Sequence, residues 1–323
     1  MHHQPDLLNV RVSRRTREAE DIDSFELVAA DGAALPAFSA GAHVDVVLGP
    51  ALVRQYSLCN APSETHRYLI AVMRAPASRG GSQAMHERIR EGQQLRISPP
   101  RNHFALAPAA KAHLLLAGGI GITPILCMAE QLAAAALPFE MHYGTRSRAR
   151  TAFESHIAQA GFAAQVHFHF DDGPPGQKLD LQTLLARPQE GLHLSVCGPQ
   201  GFMEAALATA RAAGWPPSQI HYEFFGAAPV ASATGASFDV VLSRCGRVVT
   251  VPQEQTVVQA LAQAGIAVPV SCEQGVCGTC LTRVLDGVPD HRDMFLTPDE
   301  QARNDHFLPC CSRAKSARLV LDL

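Results

Sequence analysis

The sequence predicts three folded parts: an antiparallel β-barrel over residues 1–108, an α/β domain on a parallel sheet over 109–226, and a small α+β domain over 238–323, with 227–237 as a linker. Three patterns carry this reading. Short β-like runs broken by turn residues fill the first hundred positions, the spacing of a small barrel. From His113 onward strands alternate with helices, the mark of a parallel sheet. Then an uncharged stretch rich in Ala, Pro, Ser, Thr and Gly leads into a cysteine-rich segment.

With 323 residues and 34.6 kDa the chain can bury more than one core. A net charge of −3 and a pI near 6.6 give no general attraction to nucleic acid or to an anionic membrane. The longest apolar runs, such as His113 to Ala117, are too short to span a bilayer. The start, Met1-His2-His3-Gln4-Pro5-Asp6, lacks the charged and apolar regions of a signal peptide. Nine cysteines, an odd number, argue against a disulfide scaffold and for a reducing compartment. The expectation is a cytoplasmic protein with neither nucleic acid nor membrane as partner.

In the first part the strand candidates are Leu8 to Val12, Ile22 to Val28, His43 to Leu48, Tyr68 to Val72 and Gln94 to Ile97. Among them lie Arg54-Gln55-Tyr56-Ser57-Leu58 and Gly80-Gly81-Ser82, the latter before a helix expected over Gln83 to Arg90. An arginine can pair with phosphate, and glycines at a helix start expose backbone donors to it. Taken singly, Arg54 could be a surface charge and Tyr56 a core residue. Together the two motifs resemble flavin domains of the ferredoxin–NADP reductase superfamily. That resemblance implies flavin contacts from Arg54, Tyr56 and Ser57, from Val72, Met73 and Arg74 on the intervening strand, and from Gly80, Gly81, Ser82 and Gln83.

In the second part strand His113 to Ala117 runs into Gly118-Gly119-Ile120-Gly121-Ile122-Thr123-Pro124 and a helix expected over Ile125 to Ala136. Thr123 suits the N-cap and Pro124 the first helical position, so this strand–turn–helix junction, with Gly119 and Gly121, is suited to pyrophosphate. A second junction follows strand His193 to Val196: Cys197-Gly198-Pro199, then a helix ended by Gly214. Its resemblance to the superfamily's nicotinamide-facing motif implies that Cys197 lies beside the reacting ring, with Ser57 and Thr123 completing the catalytic set. Free cysteine is also commonly a small buried hydrophobe.

Asp171 and Asp172 could accept from a ribose 2′-hydroxyl and repel a 2′-phosphate, whereas Arg146 and Arg148 could grip that phosphate. Resemblance to oxygenase reductases implies NADH. At His221-Tyr222-Glu223-Phe224-Phe225-Gly226 the superfamily carries an aromatic over the flavin, which assigns Phe225, although Phe224 and Phe225 could equally be core residues on opposite strand faces. His167 and His169 share one strand face, read as exposed, and no histidine is expected to form a ligand-spaced group with carboxylates.

In the third part Phe238 to Leu242 and Arg247 to Val251 read as a hairpin, and Thr256 caps a short helix stopped by Gly265. Next come Cys272, Cys277 and Cys280, in the Cys-x4-Cys-x2-Cys spacing that holds three corners of a [2Fe–2S] cluster, with Cys310 or Cys311 as the fourth. Zinc modules usually present two separated pairs, and here only one short pair exists. Gly275 and Gly278 fall where a wrapping loop needs positive φ.

This segment resembles the plant-type ferredoxin domain, implying a β-grasp fold with Cys310 as fourth ligand and Cys311 in the core. The whole chain, with its three parts in this order, resembles the phthalate dioxygenase reductase family, a layout shared by vanillate O-demethylase reductases. The resemblance implies FMN, NADH and a [2Fe–2S] cluster, and a Rieske-type oxygenase as electron acceptor. A hydride donor and a one-electron cluster need a flavin between them. The competing reading is a stand-alone reductase of quinones, ferric complexes or haem proteins.

Overall fold

A computed structural model of the chain describes residues 7–49, 52–76, 80–225, 236–270 and 272–323. Of the expected linker 227–237, only residues 236 and 237 lie within the described residues. The chain divides into two compact units, 1–225 and 226–323.

The first unit opens with β1 (Leu8–Ala19), β2 (Ile22–Ala29), β3 (Ala42–Gly49), β4 (Leu52–Ser57), β5 (Tyr68–Met73), helix α1 (Gly81–Arg88), β6 (Gln94–Ile97) and the short β7 (Arg101–Asn102). These strands form an antiparallel sheet in the order β4-β3-β6-β1-β2-β5, with β7 on β3. A bridge between Leu58 and Ile70 joins its two ends, so the sheet closes as a barrel. Register shifts at Val12/Arg14 and Arg17/Ala19 bend the long β1, as bulges do where a sheet must curl. The interior is filled by alternate side chains, among them Val10, Val12, Phe25, Leu27, Val44, Val46, Ile70 and Ile97. Strand β4 was not foreseen: its residues are only half-buried apart from Ser57, so it shows no clean alternation.

Next come β8 (Ala112–Gly118), α2 (Ile122–Ala134), β9 (Phe139–Thr145), α3 (Glu154–Gln159), β10 (Val166–Phe170), α4 (Leu181–Leu185), β11 (Leu192–Gly198), α5 (Gln200–Ala212) and β12 (Ile220–Phe224). All five strands are parallel, in the order β10-β9-β8-β11-β12. The central β8 is buried on both faces, which explains its unbroken run of leucines. Ile125, Leu126 and Met128 of α2 share a core with Ile22, Cys59 and Ala71 of the barrel, which joins the two halves of this unit.

The second unit contains β13 (Phe238–Leu242), β14 (Val248–Val251), α6 (Val257–Gln263), β15 (Thr282–Asp286), β16 (Pro289–Asp290), α7 (Pro298–Arg303), β17 (His306–Phe307), β18 (Arg313–Ala314) and β19 (Arg318–Leu321). Its main sheet runs β14-β13-β19-β15-β17, with α6 packed on it through Val257, Ala260 and Leu261. Thr256 and Gln259 cap α6 reciprocally, and Gly265 follows at φ 77°. First and last strands of this unit lie side by side and parallel, the β-grasp arrangement. Among the described residues no helix is long and apolar enough to cross a membrane.

Candidate functional site

On the barrel, β4 and the start of α1 bring two separated motifs together. The Arg54 side chain lies across Gly81, where an added Cβ would run into its Cγ. Gly80 caps α1 in the left-handed region, φ 86°, so the helix starts beside the Arg54 side chain. Ser82 Oγ accepts from the Ala75 N–H at 3.2 Å. A cation, a helix start and a hydroxyl set around a residue that must lack a Cβ fit a flavin phosphate. Tyr56 is half-buried, and burial pushes its hydroxyl well above the ordinary range.

The carbonyl of Val72 accepts from His86 Nε2 at 2.8 Å, Met73 is 38% exposed, and Arg74 and Gln83 both reach Glu87, at 2.8 and 3.0 Å. Val72, Met73 and Arg74 therefore lie at the end of β5 and just beyond it, and Gln83 lies in the first turn of α1 next to Ser82.

At the carboxyl edge of the parallel sheet the two glycine turns touch each other. A Cβ on Gly121 would collide with the Cys197 carbonyl, and one on Gly198 or Gly118 with the Phe202 ring. Glycine is thus required where two strand–helix junctions meet backbone to backbone. Thr123 is not the N-cap. A 3₁₀ turn over Gly119–Gly121 runs straight into α2, Gly121 holds the cap position, and Thr123 Oγ1 donates back to the Ile120 carbonyl at 3.1 Å. Burial of its side chain leaves no free hydroxyl at the surface. At the other junction Pro199 caps α5 and Gly214 ends it at φ 84°.

Cys197 is fully buried; burial first, and the Glu223 carboxylate second, hold its thiol well above the usual range. Ser57 Oγ donates to Glu223 Oε2 at 3.4 Å, and His43 Nδ1 lies 3.9 Å from Oε1. Ser57 from β4 and Cys197 from β11 are therefore linked through Glu223 on β12. Sequence reasoning singled out the aromatics of this strand and passed over Glu223. Its signal was a carboxylate between two aromatics, Tyr222 and Phe224, inside a short strand. Phe224 is 7% exposed and Phe225 41%, so the two do lie on opposite sides. Asp171 and Asp172 are exposed at the end of β10, and Arg148 is engaged by Glu154 at 2.8 Å.

In the second unit Cys272, Cys277, Cys280, Cys310 and Cys311 are all buried. Hydrogen bonds link Cys272 with Cys277, which draws the Cys277 thiol down to about 6, and Cys280 with Cys310, which draws Cys310 down to about 4. Four buried soft sulfurs brought together in this way make a donor set that fits an iron–sulfur cluster. Cys272 Sγ accepts from the Gln274 N–H at 3.3 Å. Gly275 and Gly278 have φ 73° and 69°, and their missing Cβ atoms leave room for Cys311 Sγ and the Phe295 ring. Cys311 packs with Leu296 and Leu308, its sulfur 3.7 Å from the Leu308 carbonyl.

Comparison with known proteins agrees with this layout. Residues 241–315 match the 2Fe-2S iron-sulfur cluster binding domain, and residues 93–220 match the dimethylamine monooxygenase subunit DmmA-like N-terminal domain. The chain is 56% identical, over 98% of its length and 100% of the relative's, to a vanillate O-demethylase oxidoreductase of Pseudomonas sp. (strain HR199 / DSM 7063). It is 42% identical to a tetrachlorobenzoquinone reductase of Sphingobium chlorophenolicum, over 98% of each. A solved phthalate dioxygenase reductase superposes with a TM-score of 0.76 at 39% identity, covering 98% of both chains.

Proposed function

Because this chain belongs to the phthalate dioxygenase reductase family, we propose that it is the reductase component of a two-component Rieske-type oxygenase of the aromatic O-demethylase kind, using NADH and FMN. The observation that carries this is the end-to-end match to a vanillate O-demethylase oxidoreductase at 56% identity. When bound, the nicotinamide supplies a hydride, the flavin divides the electron pair, and the [2Fe–2S] cluster delivers single electrons to the oxygenase.

The residues of the chain bind and orient. Arg54, Gly80, Gly81 and Ser82 hold the FMN phosphate, while Tyr56 and Phe225 flank the ring. Gly119, Gly121, Gly198 and Pro199 present the two junctions to the dinucleotide, and Asp171 accepts from the ribose, which favours NADH over NADPH. Ser57 keeps a hydroxyl proton that Glu223 accepts, so the hydroxyl is oriented from behind. Cys197, buried at the end of β11, would back the surface that holds the nicotinamide. Cys272, Cys277, Cys280 and Cys310 hold the cluster. None of the nine cysteines is paired in a disulfide, which supports a reducing, cytoplasmic setting.

The test is anaerobic reduction of the purified protein with NADH and, separately, NADPH, with visible and EPR spectra and extraction of the flavin. Rapid bleaching by NADH, a rhombic [2Fe–2S] signal and extracted FMN are expected, followed by product formation with a vanillate-type oxygenase component. Flavin bleaching without a cluster signal would overturn the electron path. The 42% identity to a tetrachlorobenzoquinone reductase supports a second reading: direct reduction of a halogenated quinone, detected as NADH turnover with no oxygenase present.

A further inference from the structure

Away from the sites above, the edge of the parallel sheet gathers three histidines and a carboxylate. Strands β9 and β10 run parallel with His142 opposite His167. Glu140 lies two residues before His142 and His169 two residues after His167, so all four side chains leave the same face. Glu140 Oε1 is 3.1 Å from His142 Nε2 and 3.1 Å from His167 Nε2. The His142 ring stacks on His167 at 4.8 Å and on His169 at 5.2 Å. One ligand atom from each of Glu140, His142 and His167 lies within 4.8 Å of the others.

Proton placement decides what this cluster is built to hold. His169 Nδ1 lies 3.2 Å from the Gln177 carbonyl, which can only accept, so Nδ1 carries the proton and Nε2 a lone pair. That lone pair, 2.9 Å from His142 Nδ1, requires the proton there. A neutral His142 then turns a second lone pair, on Nε2, toward the Glu140 carboxylate. Two acceptors face each other at hydrogen-bond distance, which is unfavourable unless a cation stands between them. A proton could bridge one such pair, but His167 Nε2 brings a third donor to the same Glu140 oxygen at 3.1 Å, and a metal ion can engage all three at once.

We propose that Glu140, His142 and His167 form a divalent-cation site of the zinc class, tying edge strand β10 to β9, with His169 holding His142 in the ligating tautomer. Two imidazoles and one carboxylate suit a borderline cation, and the half-exposed His167 leaves coordination positions to water. The relay from His142 through His169 to a backbone carbonyl is the outer support that ligating histidines require. The sequence reading had placed no histidine in such a group. The pattern is invisible there because 20 residues separate the two strands and only their register brings His142 beside His167.

The experiment equilibrates the purified, oxidised holoprotein with Zn²⁺, removes unbound metal, and counts zinc and iron per chain. Wild type is expected to gain one zinc with iron and flavin unchanged. His167→Gln and Glu140→Gln alter exposed side chains and should gain none, at unaltered NADH–ferricyanide turnover. His169→Ala should keep the one-zinc stoichiometry but bind roughly 10–100-fold more weakly, a split that general misfolding would not produce. Absence of zinc in wild type, equal zinc in wild type and His167→Gln, or zinc gained only as iron is lost would overturn the proposal.

Discussion

The two units hold their redox groups by opposite means. In residues 226–323 the cluster site is made of side-chain sulfurs, three of them on one loop of nine residues between Cys272 and Cys280. In residues 1–225 the proposed flavin and nucleotide sites would be made mostly of backbone, at helix starts where glycine leaves room, completed by single side chains from separate strands. A thiolate ligand is irreplaceable, so loss of one ends that site. A backbone cradle spreads binding over many donors, so loss of one contact weakens it without ending it. The comparison teaches that the cluster should fail all at once and the flavin and nucleotide sites by degrees.

The sharpest break of that comparison is Cys277→Ser. Electron delivery from NADH to an oxygenase partner should fall to background, while NADH–ferricyanide turnover persists, because the flavin reduces small acceptors directly. Loss of both activities together would show that the two units do not fail separately. Arg54→Ala should remove one charge-assisted contact of about 1.5–3 kcal/mol, leaving a flavin site that empties on dilution. Flavin content after gel filtration checks this, and full retention would deny Arg54 its phosphate. Gly121→Ala puts a methyl group into the Cys197 carbonyl. Overpacking costs about 1–3 kcal/mol, so a lower unfolding midpoint and a higher KM for NADH are expected; an unchanged KM would mean that the junction does not contact the dinucleotide.

The smallest effect concerns acid. His43 is almost fully buried, and burial, then the neighbouring Arg101 and His103 charges, lowers it to about 3. Its folded-state value lies below the unfolded value near 6.5, so the unfolded chain takes up a proton that the folded chain refuses. The stability that follows is fully present above pH 6.5 and is lost as pH falls toward 3, with a slope of at most about 1.4 kcal/mol per unit. His142 and His113, each near 4 through burial, act in the same direction in the same unit. Flavin-fluorescence unfolding midpoints should therefore fall between pH 6.5 and 4, and His43→Leu should flatten part of that fall. An identical slope in the variant would assign it elsewhere.

What the sequence determined by itself was local. Cys-x4-Cys-x2-Cys, the Thr256 cap with Gly265, the glycine turns after His113–Ala117 and His193–Val196, and the order of the three folded parts each rest on residues within a few positions of one another. Spacing, turn chemistry and periodicity act over that range. The tertiary structure decided what depends on register between distant strands. It set Glu223 behind Ser57 and near Cys197, seated Gly121 against the Cys197 carbonyl, and aligned His142 with His167. None of these is encoded within one segment, because a contact across a sheet is fixed by which strands pair and by how far each is shifted along its neighbour.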